Sequence, residues 1–391
     1  MLGGIVLTSF INLLLSIYSS NCLADVSERI SKVEAINDTE MALRYLERIR
    51  SQEILKTLKY EGINIRGFYH TSTWRPDGWA KVVDEQLRLM DGSRLKNFLV
   101  QDKWSPRIWV SLLDIVDQLN MVVAGVPADY DKMSTLLKTL KLKHIDKINL
   151  HFRPTMERDK YRYAKPEEQE QLRIESINKN LTEGEYSSVN ELHQYCKNEV
   201  KNGRKSYVFY AHNKGACCMK GQSHPIAEWR EEMNTFILEF PSICMRALYN
   251  GYVGCGVEYE SAHYSGNYWW ARCDHVAALK GLWDPINNAY ASELLLYNVS
   301  KDYGIRSRFA EECAYNIFHC RVNHYVGRCP REVYLPVIMG LLATPQLPPN
   351  PTSKIKLGTV TNKPPSYCTK AYRTPYIDQP TWDRGGVYFP T

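Results

Sequence analysis

Apolar and polar positions alternate along the chain with two distinct periods. At 26–60 (VSERISKVEAINDTEMALRYLERIRSQEILKTLKY) apolar residues recur at mixed spacings of three and four, which predicts a helix. INIRGFYHT (63–71) reads as a strand ending in a polar loop, and GWAKVVDEQLRLMDGSRL resumes a helical stripe with Asp91-Gly92 as its stop. QLNMVVAGV (118–126) is almost continuously apolar, the mark of a strand covered on both faces. MSTLLKTLKL (133–142) predicts a helix, HIDKINLHF (144–152) a strand and SSVNELHQYCKNEV (187–200) a helix. KSYVFYAHNKG (205–215) predicts a buried strand running into a glycine turn. WREEMNTFILEFPSICMRAL (229–248) is a helical pattern, with Trp229, Met233, Phe236 and Ile237 on one apolar face. Residues 156–180 are highly charged and read as an exposed helix or loop.

Strands alternating with helices predict an α/β fold, a mainly parallel sheet flanked by helices. Ligands of such sheets bind outside the carboxyl ends of the strands. Three polar clusters fall where strands should end: FYHTST, YAHNKG and VEYESAHYSGN. Past residue 340 the character changes, and nine of the 19 prolines lie in the tail. Proline removes the donor that helices and central strands need, so the tail reads as an extended wrap pinned by Cys368. The expected organisation is a leader at 1–24, a helical segment at 25–62, a main domain at 63–340 and a Pro-rich tail at 341–391.

Composition narrows the setting. At 391 residues the chain can form one large domain or two smaller ones. The net charge is +6 and the Lys and Arg residues are scattered, so nothing points to nucleic acid; anionic small molecules remain open as partners. The apolar stretch at 5–18 is short for a membrane span, and Cys22 and Ala24 suit cleavage after Ala24. A signal peptide is the first reading and an uncleaved signal anchor, attaching the chain to a membrane through its N-terminus, is the second. Of 11 cysteines, ten follow the leader, and none of those precedes Cys196. An even number fits an oxidising lumen, with disulfides confined to the C-terminal half and their connectivity open. Sequons at Asn37, Asn180 and Asn298 agree. The expected location is the secretory lumen or the cell exterior.

Candidate chemistry concentrates in two stretches. AHYSGNYWWARCDHVAAL (262–279) combines a polar turn, His263, Ser265, Gly266 and Asn267, with Tyr268, Trp269 and Trp270. Such a mixture suits a pocket wall that stacks aromatic rings on a hydroxyl-rich ligand, or else a structural turn. YVFYAHNKGACC (207–218) ends in His212, Asn213, Lys214 and Gly215, where Gly215 permits positive φ and Lys214 offers a cation for phosphate or carboxylate. Arg230 follows this loop and is either functional or solvated. Glu293, the one charge in 285–300, is a candidate general base or a helix-surface glutamate. Asp129 and Asp131 resemble a metal motif but make better sense as an Asp N-cap before KMSTLLKTL. Cys217 and Cys218 near His212 could form a nucleophile, though neighbouring cysteines in an oxidising lumen are more often bridged. Without a C-x-x-C pair or H-E-x-x-H, a structural zinc site is not indicated.

The ordered set YHTSTWRPDGWAKVVDEQL, EYSSVNELHQYC, YVFYAHNKG, EWREEMN, GVEYESAHYSGNYWWARCDHVAAL and AYASELLLYNV, over about 63–300, resembles a group of glycosyltransferase-like proteins of microbes and algae. The H-Y-S-G-N-Y-W-W segment is the most specific part of the likeness. The resemblance implies a GT-A-type, Rossmann-like fold that binds a nucleotide sugar. On it, His212, Asn213, Lys214, Gly215 and Arg230 would bind the donor. His263, Ser265, Gly266, Asn267, Trp269 and Trp270 would form the acceptor side, and Glu293 would be the base. His-Asn-Lys stands where a D-x-D metal motif would be expected, so no cofactor is required and a divalent metal, although possible, is not indicated; Lys214 could supply the charge instead. The expected function is sugar transfer from a nucleotide sugar to a glycan or glycoprotein. A non-catalytic carbohydrate-binding or cell-surface protein, and a thiol hydrolase using Cys217 or Cys218, are the alternatives.

Overall fold

A computed structural model describes residues 39–73, 78–93, 110–154, 185–215, 223–260, 263–279, 313–320 and 327–345, with isolated positions at 165, 167–168, 171–172, 174–175, 324 and 347. The leader, the three sequons, Cys22, Cys217, Cys218, Cys368, Glu293 and most of the Pro-rich tail lie outside the described residues. The described chain runs α1 (Thr39–Tyr60), β1 (Ile63–Ser72), α2 (Trp79–Asp91), α3 (Leu112–Ile115), β2 (Gln118–Gly125), α4 (Pro127–Leu140), β3 (Ile148–Pro154), α5 (Tyr186–Lys201) and β4 (Lys205–His212). It continues through α6 (Ser223–Asn234), α7 (Pro241–Tyr249), β5 (Gly254–Gly256), β6 (Tyr259–Glu260), β7 (His263–Tyr264), β8 (Trp269–Arg272), α8 (Cys273–Ala278), β9 (Ala314–Asn316) and α9 (Arg331–Ala343).

Seven strands form one sheet in the order β3-β2-β1-β4-β8-β5-β9, and β6 and β7 make a small separate hairpin sheet. β3, β2, β1 and β4 are parallel. β8 runs antiparallel to both β4 and β5, so the sheet is mixed and mostly parallel. After β1 the chain proceeds outward to β2 and β3, then returns to place β4 on the other side of β1. The β1–β4 seam is therefore a topological switch point, whose carboxyl-end crevice is the usual ligand position in open α/β sheets.

Successive strand residues face opposite sides, and each side has its own core. On one face Tyr69, Met121, Phe209 and Trp270 pack with α1, α2, α4, α6, α7 and α9. On the other, Phe68, Val208, Tyr210 and Trp269 pack with Val189, Leu192 and Cys196 of α5 and Val276 of α8. α2 ends at Gly92 in left-handed backbone (φ 72°), as the Asp91-Gly92 stop signal predicts.

Three boundaries differ from the sequence reading. The helical pattern at 229–248 is broken: α6 ends at Asn234, a π-turn spans Thr235–Glu239, and Pro241 opens α7 because it cannot continue the preceding turn. β3 begins at Ile148, after a 3-10 turn at Ile145–Lys147. α4 starts at Pro127, so Asp129 is not the N-cap; at the third helical position its Oδ2 accepts from the Val126 amide at 3.1 Å.

Disulfides join Cys196 to Cys273, Cys244 to Cys255 and Cys320 to Cys329, and Cys313 is also disulfide-bonded. All seven described cysteines are thus oxidised, in the C-terminal half as expected, which fits an extracellular or secretory environment. No described helix is long and apolar enough to cross a membrane.

Candidate functional site

At the switch point β1 and β4 end side by side, and their register sets His70 directly beside His212. Both share a sheet face with Phe68 and Tyr210, and so point toward the side covered by α5. His70 Nδ1 lies 2.8 Å from Ser188 Oγ on α5. His212 Nε2 lies 2.8 Å from the Gly266 carbonyl, which can only accept, so this nitrogen carries the proton. Glu185, just before α5, faces both histidines' side of the seam. Its Oε1 is 3.5 Å from His212 Nδ1, and its Oε2 accepts from Tyr210 Oη at 2.8 Å and Asn267 Nδ2 at 2.6 Å.

Burial governs the protonation of this trio. It pushes the His70 imidazole down to about 4, against the pull of the Glu185 carboxylate. Burial also lowers His212, with Glu185 again opposing and Lys214 adding to the depression. Burial alone would raise the Glu185 carboxyl; His212, His70, the Tyr210 hydroxyl and Lys214 outweigh it and hold the group below its ordinary value. The arrangement at neutral pH is one half-buried carboxylate against two buried, neutral imidazoles.

The turn after β4 is fastened from several directions. Asn213 bridges the two strand ends, accepting from the Ser72 amide at 3.0 Å and donating to the Ser72 carbonyl at 2.8 Å. Tyr268 Oη donates to the His212 carbonyl and accepts from Gln86 Nε2 at 2.7 Å, while Gln86 Oε1 accepts from Tyr69 at 2.6 Å. Lys214, half-buried, holds Nζ 4.4 Å from the Trp229 ring centroid, a cation–π contact. Arg230 is not solvated: its Nη1 donates to the Lys214 carbonyl at 3.0 Å and its Nη2 lies 3.8 Å from Glu85. Gly215 adopts φ 78°, the conformation expected of it.

The structure brings His212, Asn213, Lys214, Gly215 and Arg230 together with Gly266 and Asn267. Gly266 (φ 85°) has no room for a side chain, since a Cβ there would lie 2.3 Å from Met233 Sδ and 3.1 Å from Trp229. Asn267 takes a left-handed backbone (φ 59°), and the Ser265 amide donates to the Glu258 carbonyl at 2.9 Å. His263 belongs to β7, where it pairs with Glu260. Trp269 and Trp270 depart from expectation. They are 1% and 0% exposed and point to opposite faces of β8. Trp269 stacks on Tyr210 at 5.5 Å and Trp270 packs on Phe209 at 5.2 Å, so their rings fill the two cores and offer no surface to a sugar.

Two groups were missed from sequence. Glu185 sits at the head of the amphipathic EYSSVNELHQYC segment, where a carboxylate looks like ordinary helix-start chemistry. Glu232, Glu258 and His324 come from three distant stretches, yet one donor atom of each lies within 4.8 Å of the others. These could hold a metal ion, whereas the Asp129 carboxylate, inside the first turn of α4, accepts from the Val126 amide.

A family model described as "Domain of unknown function (DUF8361)" matches residues 133–293. The match spans the His212–Gly215 turn, Glu185 and the 263–270 segment. No curated protein and no solved structure matches the chain.

Proposed function

We propose that this chain is a glycosyltransferase with a GT-A-like fold, moving a sugar from a nucleotide-sugar donor to a glycan or glycoprotein acceptor in the secretory pathway or outside the cell. The observation that carries this reading is the meeting of the segments ending β1 and β4 with the 264–267 turn at the switch point, through the His212–Gly266 hydrogen bond. There the donor diphosphate faces the 213–215 turn, and Lys214 offsets the charge that develops on the leaving phosphate. Glu293 keeps the base role that the resemblance implies. Glu185, held ionised at the seam, is the described carboxylate that competes for it. The burial of Trp269 and Trp270 weighs against a purely carbohydrate-binding protein, which would need such rings exposed.

The test is a thermal-shift screen of the purified chain against nucleotide sugars, followed by turnover with the donor that binds. Lys214→Ala should weaken donor binding by about 10-fold or more, the scale of a lost charge-assisted contact. Removing the true base should lower turnover by about 100- to 10,000-fold with donor binding retained, so Glu293→Gln and Glu185→Gln separate the two carboxylates. If no nucleotide sugar raises the unfolding temperature and none turns over, the non-catalytic reading replaces this one.

A further inference from the structure

The 264–267 turn adjoins a second polar cluster that the sugar-transfer reading does not use. Glu232 lies on α6, three residues after Trp229 and so on the same helical face. Its side chain is 0% exposed, and no N–H or hydroxyl group donates to either carboxyl oxygen. Its neighbour is the carboxylate of Glu258, which follows β5 in a left-handed backbone (φ 54°) uncommon for a non-glycine residue. Glu258 Oε2 lies 3.2 Å from His319 Nδ1 and 3.2 Å from His324 Nε2, and its Oε1 accepts from the Cys320 amide. His324 Nε2 is buried and, despite this distance, is not aligned for a hydrogen bond.

Two buried carboxylates in contact cannot both ionise unless a cation joins them. A dication would cancel both charges. The donors are nitrogen and oxygen, all within 4.8 Å of one another, and the 3.2 Å between Glu258 Oε2 and His324 Nε2 is near the ~3.3 Å expected between two ligands with bonds of about 2.0 Å. Mixed imidazole and carboxylate donors suit divalent transition metals. The scaffold is already set: the His324 ring stacks on Trp229 at 4.9 Å and 8°, and Cys320–Cys329 closes the segment that carries it.

We propose that Glu232, Glu258 and His324 bind a divalent transition-metal ion that ties His324 to α6 and to the chain after β5. The proposal does not depend on the transfer reaction. The site shares Trp229 with Lys214, so the ion would also steady the indole against which that ammonium rests.

Elemental analysis of the purified full chain tests it first, with an expected value near one zinc or manganese ion per chain. Stripping with a chelator should lower the unfolding temperature by several degrees, and Zn²⁺ or Mn²⁺ should restore it. Glu232→Gln keeps the shape and removes the charge, and should weaken Zn²⁺ binding on the order of 100-fold; His324→Ala should do the same. A folded wild-type chain that carries no metal, and whose unfolding temperature ignores chelator, Zn²⁺ and Mn²⁺, would overturn the proposal in favour of two carboxyls sharing a proton. Wild-type Zn²⁺ affinity in folded Glu232→Gln would overturn it equally.

Discussion

β3, β2, β1 and β4 run for seven to ten residues each, whereas β8, β5 and β9 span only three or four. The long parallel strands hold together by ladder hydrogen bonds, and β1, β2 and β4 also by apolar side chains buried on both faces. Strands of three residues cannot do this alone. In their place the short-strand side has disulfides, with Cys244–Cys255 reaching β5 and Cys196–Cys273 reaching the residue after β8, and it has the Trp269–Trp270 pair. The candidate site lies where the two constructions meet, one wall on β1 and β4 and the other on the turn before β8.

That contrast can be broken in graded steps. Trp270→Ala should cost about 3–5 kcal/mol, the usual loss for a fully buried aromatic, and hydrogen exchange should rise first in β5 and β8 rather than in β2. Equal exchange in both regions would show that the two do not differ in cohesion. Replacing both Cys196 and Cys273 by Ala should cost about 4 kcal/mol, against about 3 for the Cys244/Cys255 pair, because the separations are 77 and 11 residues. Urea unfolding of the two double variants measures this, and a larger loss from the shorter loop would contradict loop entropy as the cause.

A third step uses pH. The folded-state value of His70 is depressed, to about 4 from 6.5. Stability that depends on the neutral ring is therefore present above pH 6.5 and lost as pH falls toward 4, by about 3 kcal/mol in all. Glu185, His212 and Ser188 face this ring. Unfolding free energies of wild type and His70→Asn should diverge with pH only within that window, and parallel profiles would mean the ring is not buried neutral. The mildest step is Gly266→Ala, which forces a side chain into left-handed backbone against Met233 and Trp229. About 2–3 kcal/mol should be lost, and His212 should titrate still further below its ordinary value as the Gly266 carbonyl, whose hydrogen bond favours the protonated ring, shifts away. An unchanged His212 titration by NMR would separate the turn from the histidine.

Much of the parallel half was readable in advance. INIRGFYHT, QLNMVVAGV and KSYVFYAHNKG are long enough for their apolar runs to mark strands, and each appears in the sheet close to its expected bounds. The short-strand half was not. GCG and AYN carry no period in three residues, and Pro241 divided what read as one helix. Trp269 and Trp270 show the limit well. An aromatic pair beside a polar turn has the composition of a pocket wall, and only pairing β8 between β4 and β5 sends the two rings into opposite cores.

By itself the sequence determined the α/β class, the placement of polar clusters at strand ends, and the oxidised C-terminal half. Those properties follow from local periodicity, glycine turns and cysteine number, each written within a short stretch of chain. Tertiary structure alone decided that His70 sits beside His212, that Glu185 closes on them, and that Glu232, Glu258 and His324 converge. These groups are far apart along the chain, and their chemistry comes from shared burial, which raises Glu232 and lowers His70 only once the surrounding core has excluded water.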